Sequence, residues 1–65
     1  MMFELIMTLP ASQNSRLDSD VVYVLFEGEE AECNERLSER LIDGLSEYSI
    51  AGAYVSVSVR EKVLA

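Results

Sequence analysis

Histidine and tryptophan are absent from the 65 residues, and cysteine and proline occur once each, as Cys33 and Pro10. Without histidine, the usual general base near neutral pH is missing. So is the usual nitrogen ligand of a zinc site. A single cysteine makes an intramolecular disulfide impossible. The three glycines, Gly28, Gly44 and Gly52, stand apart from one another, so no glycine-rich phosphate loop exists. Bases are scarce: 5 Lys and Arg face 12 Asp and Glu, a formal net charge of −7. That balance repels the phosphates of nucleic acid and anionic membranes, and it excludes direct nucleic-acid binding as an expectation. The longest apolar runs, Leu5–Met7 and Val21–Phe26, fall far short of the roughly 20 residues a membrane span requires. Glu4 sits where a signal peptide would carry basic residues. The expected compartment is therefore the cytoplasm, with which a lone cysteine agrees.

What remains is one domain, residues 1–65, with 49% hydrophobic residues, too many for a disordered chain. A domain of this size buries only about 60% of the surface its unfolded chain exposes. Such domains commonly need a disulfide, a metal or a partner subunit. The composition argues against the first two, which leaves close packing or a homodimer.

Met1 to Leu9 alternates. Phe3, Leu5, Met7 and Leu9 point one way; Met2, Glu4, Ile6 and Thr8 point the other. A period of two predicts a strand with one face on a core. Pro10, with no N–H to donate, ends it. Ala11 to Asp20 is polar and reads as a mobile loop, long for a hairpin connection, with Leu17 as a candidate peg to the core. Val21 to Phe26 is β-branched and aromatic, the strongest strand signal in the chain. Strict alternation places Val22, Val24 and Phe26 on one face and Val21, Tyr23 and Leu25 on the other. Both faces are apolar, so either a second copy covers the outer one or Tyr23 turns its hydroxyl to solvent. Tyr23 and Leu25 are accordingly the candidate self-association residues.

Glu27 to Tyr48 reads as an acidic amphipathic helix. It holds Glu27, Glu29, Glu30, Glu32, Glu35, Glu39, Asp43 and Glu47 against Arg36 and Arg40. Acids in the first turn complement the helix dipole. At about 100° per residue, Leu37, Leu41, Leu45 and Tyr48 form an inner stripe flanked by Cys33 and Ile42. Glu32, Glu35, Glu39 and Asp43 gather on the opposite side. Glu32–Arg36 and Arg40–Asp43 are spaced for intrahelical ion pairs, whereas Glu35–Glu39 and Glu39–Asp43 are like-charge pairs that each cost a few tenths of a kcal/mol. Asp43-Gly44 is a turn signal that competes with the helix, but the apolar period runs on past it. Ser49 to Ala53 is a small-residue connector, and Tyr54 to Arg60 alternates as a third strand, with Val55, Val57 and Val59 inward. The segment from 61 to 65 continues that strand or frays. The expected fold is α+β, in the order ββαβ. A three-stranded, mainly antiparallel sheet has its first strand in the centre, and one acidic amphipathic helix packs on one face. A parallel pairing of the second and third strands is the alternative.

No catalytic set can be assembled from these residues, and no cofactor or metal is expected. Cys33 lies in an acidic segment that disfavours its thiolate. Glu27, Glu29, Glu30 and Glu32 lack the ordering of a calcium loop. The charge is concentrated instead: the net charge of −6 between Glu27 and Glu47 accounts for nearly all of −7. Carboxylates about 5–6 Å apart along a helix follow one another on the scale of phosphates along a nucleic-acid strand. Glu29, Glu32, Glu35, Glu39, Asp43 and Glu47 are therefore the candidate partner-binding residues. The expected partner is a basic protein or nucleic-acid-binding complex.

In size, acidity, lack of catalytic residues and compact α/β build, the chain resembles the small acidic inhibitor proteins encoded by phages, among them many anti-CRISPR proteins. The resemblance implies a viral DNA mimic that inhibits a nucleic-acid-binding complex stoichiometrically in the host cytoplasm. Two other readings stay open: a homo-oligomeric structural module whose acidic face is merely solvated, and an antitoxin-like neutraliser of a basic toxin.

Overall fold

A computed structural model describes residues 1–63; the expectation for the last two positions of the tail lies outside them. The order is β1 (Phe3–Leu9), β2 (Val21–Gly28), α1 (Glu30–Arg40), β3 (Glu47–Ile50) and β4 (Ala53–Glu61). The class is α+β. The four strands form one antiparallel sheet in the order β2-β1-β4-β3. β1 thus lies between β2 and β4, the arrangement expected for the three strands read from the sequence. The fourth strand, β3, was not expected. It joins outside β4 through a hairpin.

That fourth strand exists because the helix is shorter than its apolar period implies. α1 stops at Arg40, and Leu41 is already extended, with φ −74° and ψ 144°. Asp43 (φ 54°) and Gly44 (φ 77°) then make a two-residue turn. Ile42 and Leu45 exchange both backbone hydrogen bonds across it, at 3.2 and 2.9 Å. Positive φ at both central positions is what a tight hairpin demands, and Asp-Gly supplies it at low steric cost. The turn signal therefore prevails over the helical period. Leu45 and Tyr48 leave the expected inner stripe, and the stripe that remains is Cys33 and Leu37. Tyr48 still serves the helix from β3: its hydroxyl donates to the Arg40 carbonyl at 3.0 Å, one of the carbonyls that a helix end leaves without a partner.

The helix lies across one face of the sheet. Leu5, Val55, Val57 and Cys33 are each 3% exposed or less and form the core between the layers. The molecule measures 35 × 33 × 13 Å. Its short dimension leaves room for only one layer on the sheet, since packed layers stand roughly 10 Å apart. The second face of the sheet is open.

The faces of β2 also differ from simple alternation. Leu5 pairs with Phe26 but Ile6 pairs with Val24, so Leu25 is an inserted bulge residue. Past the bulge the parity reverses. Tyr23, opposite Met7, lies on the helix side with Phe26; Val22 and Val24, opposite Thr8 and Ile6, lie on the open side. Tyr23 and Leu25 therefore do not share an outer face.

The loop from Pro10 to Asp20 is tied down, although not chiefly through Leu17. Ala11–Gln13 form one turn of 3-10 helix. The Ala11 N–H donates to the Asp20 carboxylate at 2.8 Å. Asn14 donates through Nδ2 to the carbonyls of Pro10 and Tyr54 and accepts the Tyr54 N–H at 2.9 Å. Leu17 is half-buried beside a cleft of about 350 Å³ between this loop and the Ala51–Ala53 turn.

Candidate functional site

The acidic residues divide into three groups according to the element that holds each. Glu27 belongs to β2, where its carboxylate accepts a hydrogen bond from Lys62 Nζ at 2.8 Å. Its neighbour across the ladder, Glu4, is 7% exposed and accepts from Arg60 Nε at 2.7 Å. Two acids and two bases thus neutralise one another at one end of the open sheet face. The hydrogen bond and charge of Glu27 hold the Lys62 ammonium above its ordinary value, against a smaller opposing effect of desolvation.

Glu47 sits on β3, opposite Ser56, and so faces the open side. It accepts a hydrogen bond from the Tyr54 hydroxyl at 3.2 Å. Partial desolvation, followed by that bond and the carboxylate's charge, raises the Tyr54 phenol above its usual value. Glu47 is therefore separated from α1 by the sheet. Asp43 occupies its turn, exposed and outside the helix.

The third group is the helix itself. Glu29 is the N-cap residue in extended conformation, and its carbonyl accepts the first helical bond from Cys33 N–H at 3.0 Å. Glu30 and Glu32 fill the first turn, where negative charge meets the positive end of the dipole. Glu32, Glu35 and Glu39 recur at intervals of three and four and share one face. With Arg36 they line a shallow groove on the outside of the helix. All three are exposed, whereas Cys33, roughly opposite them, is 0% exposed against the sheet.

The expected intrahelical ion pairs do not form. Among the described residues the salt bridges are Arg60–Glu4 and Lys62–Glu27. Arg36 lies 4.1 Å from the centre of the Phe26 ring instead, a cation–π contact. Asp43, the expected partner of Arg40, has left the helix. Of the six sequence-derived candidates, the structure thus gathers Glu32, Glu35 and Glu39 on one face, with Glu29 at the helix start. It places Asp43 and Glu47 elsewhere. The Tyr54–Glu47 contact escaped the sequence reading because β3 did, and the Asp43-Gly44 turn was the signal that led to it.

No cluster of three or more metal-ligating side chains occurs among the described residues. Among the described residues, no helix is long and apolar enough to cross a membrane. No protein-family model, curated protein or solved structure matches the chain.

Proposed function

We propose that the protein is a non-catalytic, protein-binding inhibitor whose acidic helix face occupies a basic, nucleic-acid-binding surface of its partner. One observation carries the reading: Glu32, Glu35 and Glu39 form an exposed row with no salt bridge among the described residues. The two bases best placed to neutralise Glu27 and Glu4 are spent on the far side of the sheet. Arg36 lines the same groove without a salt bridge to the row, so three acids against one base leave the groove net negative on the face of a helix. Such a row attracts a cationic groove, speeds encounter with it and competes there with phosphates. In the resemblance described above, this is how an anti-CRISPR-type DNA mimic would act.

The test is a binding comparison between the wild-type chain and the Glu32→Gln/Glu35→Gln/Glu39→Gln variant, using nuclease-treated lysate of the native host. The wild type should retain a nucleic-acid-binding protein. An added DNA or RNA oligonucleotide should displace it, and raising the salt from about 50 to 500 mM should weaken its binding at least about tenfold. The triple variant should lose at least about tenfold in affinity with its circular dichroism unchanged. Equal retention by the two proteins, or retention indifferent to the oligonucleotide, would sink the reading.

A further inference from the structure

We infer that the free edge of β2 takes up an extended segment of a partner protein as an added strand, one with five uncharged residues between basic ones. This inference does not rest on the acidic-face reading, which concerns α1. β2 is an edge strand with β1 on one side and, among the described residues, no strand on the other. An unpaired edge presents a row of backbone donors and acceptors that another strand satisfies in full. Edges are commonly blunted by charge, proline or shortness. The β3 edge, Glu47–Ile50, is short and begins with an acid. The β2 edge carries no charge and no proline from Val21 to Phe26. Its Val22, Tyr23 and Val24 are 43%, 50% and 48% exposed. Tyr23 lies on one face and the two valines on the other, so the exposure belongs to the edge rather than to either face.

Charge selects the occupant. Asp18 and Asp20 stand before the uncharged run and Glu27, Glu29 and Glu30 after it, and all are exposed. Asp20 is fixed there by the Ala11 N–H at 2.8 Å. Glu27 has Lys62, but Asp18, Asp20, Glu29 and Glu30 have no salt bridge among the described residues. Arg16, the nearest base in sequence to Asp18, lines the cleft beside the Ala51–Ala53 turn. A strand laid along the edge therefore meets acids at both ends and apolar side chains between them. Opposite charges across a strand pair stabilise it and like charges destabilise it. A second copy is disfavoured on this ground: paired antiparallel about Tyr23, with the Leu25 bulge counted, it sets Asp20 against Glu27 of the other copy twice. A segment with Lys or Arg at each end of an uncharged, β-branched run turns the same positions into attractions. Its length follows from the bulge. Between Asp20 and Glu27, the five residues Leu5–Leu9 of β1 suffice to pair with the six of β2, so the segment carries five between its bases. In strand addition of this kind, backbone hydrogen bonds supply affinity and side chains supply selectivity. One short strand buries less than the roughly 1,200 Å² of stable interfaces, so the complex is weak and exchanges rapidly.

An amide NMR titration of the intact chain tests the inference, with the capped peptide acetyl-Lys-Lys-Thr-Val-Thr-Val-Thr-Lys-Lys-amide added to about 2 mM. The amides of Val21–Phe26 should shift, and those of Glu47–Ile50 on the other edge should not. A peptide of the same composition with its lysines moved to the centre keeps the charge but not its placement, and it should bind at least about fivefold more weakly. Methylation of the central backbone nitrogens removes the donors and should abolish the shifts at β2. No shift at β2, equal binding of the two lysine arrangements, or β2 shifts that survive N-methylation overturn the inference. So do β2 amides that move when the chain alone is diluted from about 500 to 50 μM, an outcome that makes a second copy the occupant. Shifts confined to α1 overturn it as well while leaving the acidic-face reading intact, and failure of the lysate comparison leaves the edge standing.

Discussion

Asn14 makes more long-range hydrogen bonds than any other side chain described in the molecule. Its amide satisfies two carbonyls and one N–H, and two of those bonds reach Tyr54, forty positions along the chain. An Asn→Ala change leaves part-buried backbone groups without partners, at about 1–3 kcal/mol. Asn14→Asp should cost at least as much, since it loses both donors and sets a charge against two carbonyls. Urea unfolding of the two variants checks the order; an Asn14→Asp protein as stable as the wild type would remove Asn14 as the anchor. The sequence could not disclose this role. Asn14 stands in a polar run with the composition of any surface loop, and its partners become neighbours only after β4 has paired with β1.

At the scale of elements, the two tight turns account for most of what the periodicity misread. Leu37, Leu41, Leu45 and Tyr48 lie at helical intervals, yet β3 also satisfies its own alternation through Tyr48 and Ile50. Over so few residues the two periods overlap, and the backbone preference of Asp43-Gly44 settles the contest. β1, β2 and β4 were legible because each alternates or is β-branched over a longer run. The bulge was not legible: one extra residue leaves composition unchanged while exchanging the faces of everything before it. The second turn offers a direct check. Ala51 and Gly52 hold φ 51° and 82°, and nothing crowds Gly52. Alanine pays a penalty in this left-handed region that asparagine largely escapes, and Asn-Gly is the preferred pair for such a turn. Ala51→Asn should therefore stabilise the protein by about 0.5–1 kcal/mol, read as a shift in the urea midpoint. A neutral or destabilising result would contradict the turn geometry.

On the scale of the whole molecule, charge is sorted by face. Glu4, Glu27, Arg60 and Lys62 balance on the open side, while α1 carries its acids without salt bridges among the described residues. The net acidity was legible in the sequence; its sorting was not, because it depends on which strands bring Lys62 and Arg60 beside acids far away in the chain. The open side also sets the alkaline limit of stability. Lys62 and Tyr54 both hold their protons more tightly folded than their ordinary values imply. The folded state therefore binds more protons than the unfolded state as these groups titrate, and stability falls with rising pH. Their contribution is complete below about pH 10 and is lost above it as pH passes through the raised values. Thermal melts between about pH 8 and 11.5 should show this loss. Lys62→Met and Tyr54→Phe should each flatten it, and a wild-type midpoint constant over that range would contradict both contacts.

The strand order β2-β1-β4-β3 has a consequence for how the chain comes to be folded. Of the four strands, the earliest in sequence, β1, is completed by the latest, β4. β1 meets β2 early, but its other edge stays unpaired until Glu61, the partner of Phe3, has left the ribosome. Closing so long a loop carries an entropic cost that must be met before the contacts it allows are made, which sets folding on the order of milliseconds rather than microseconds. A nascent chain arrested before β4 should be open to proteases, and emergence of β4 should convert it to the protected form in a single step.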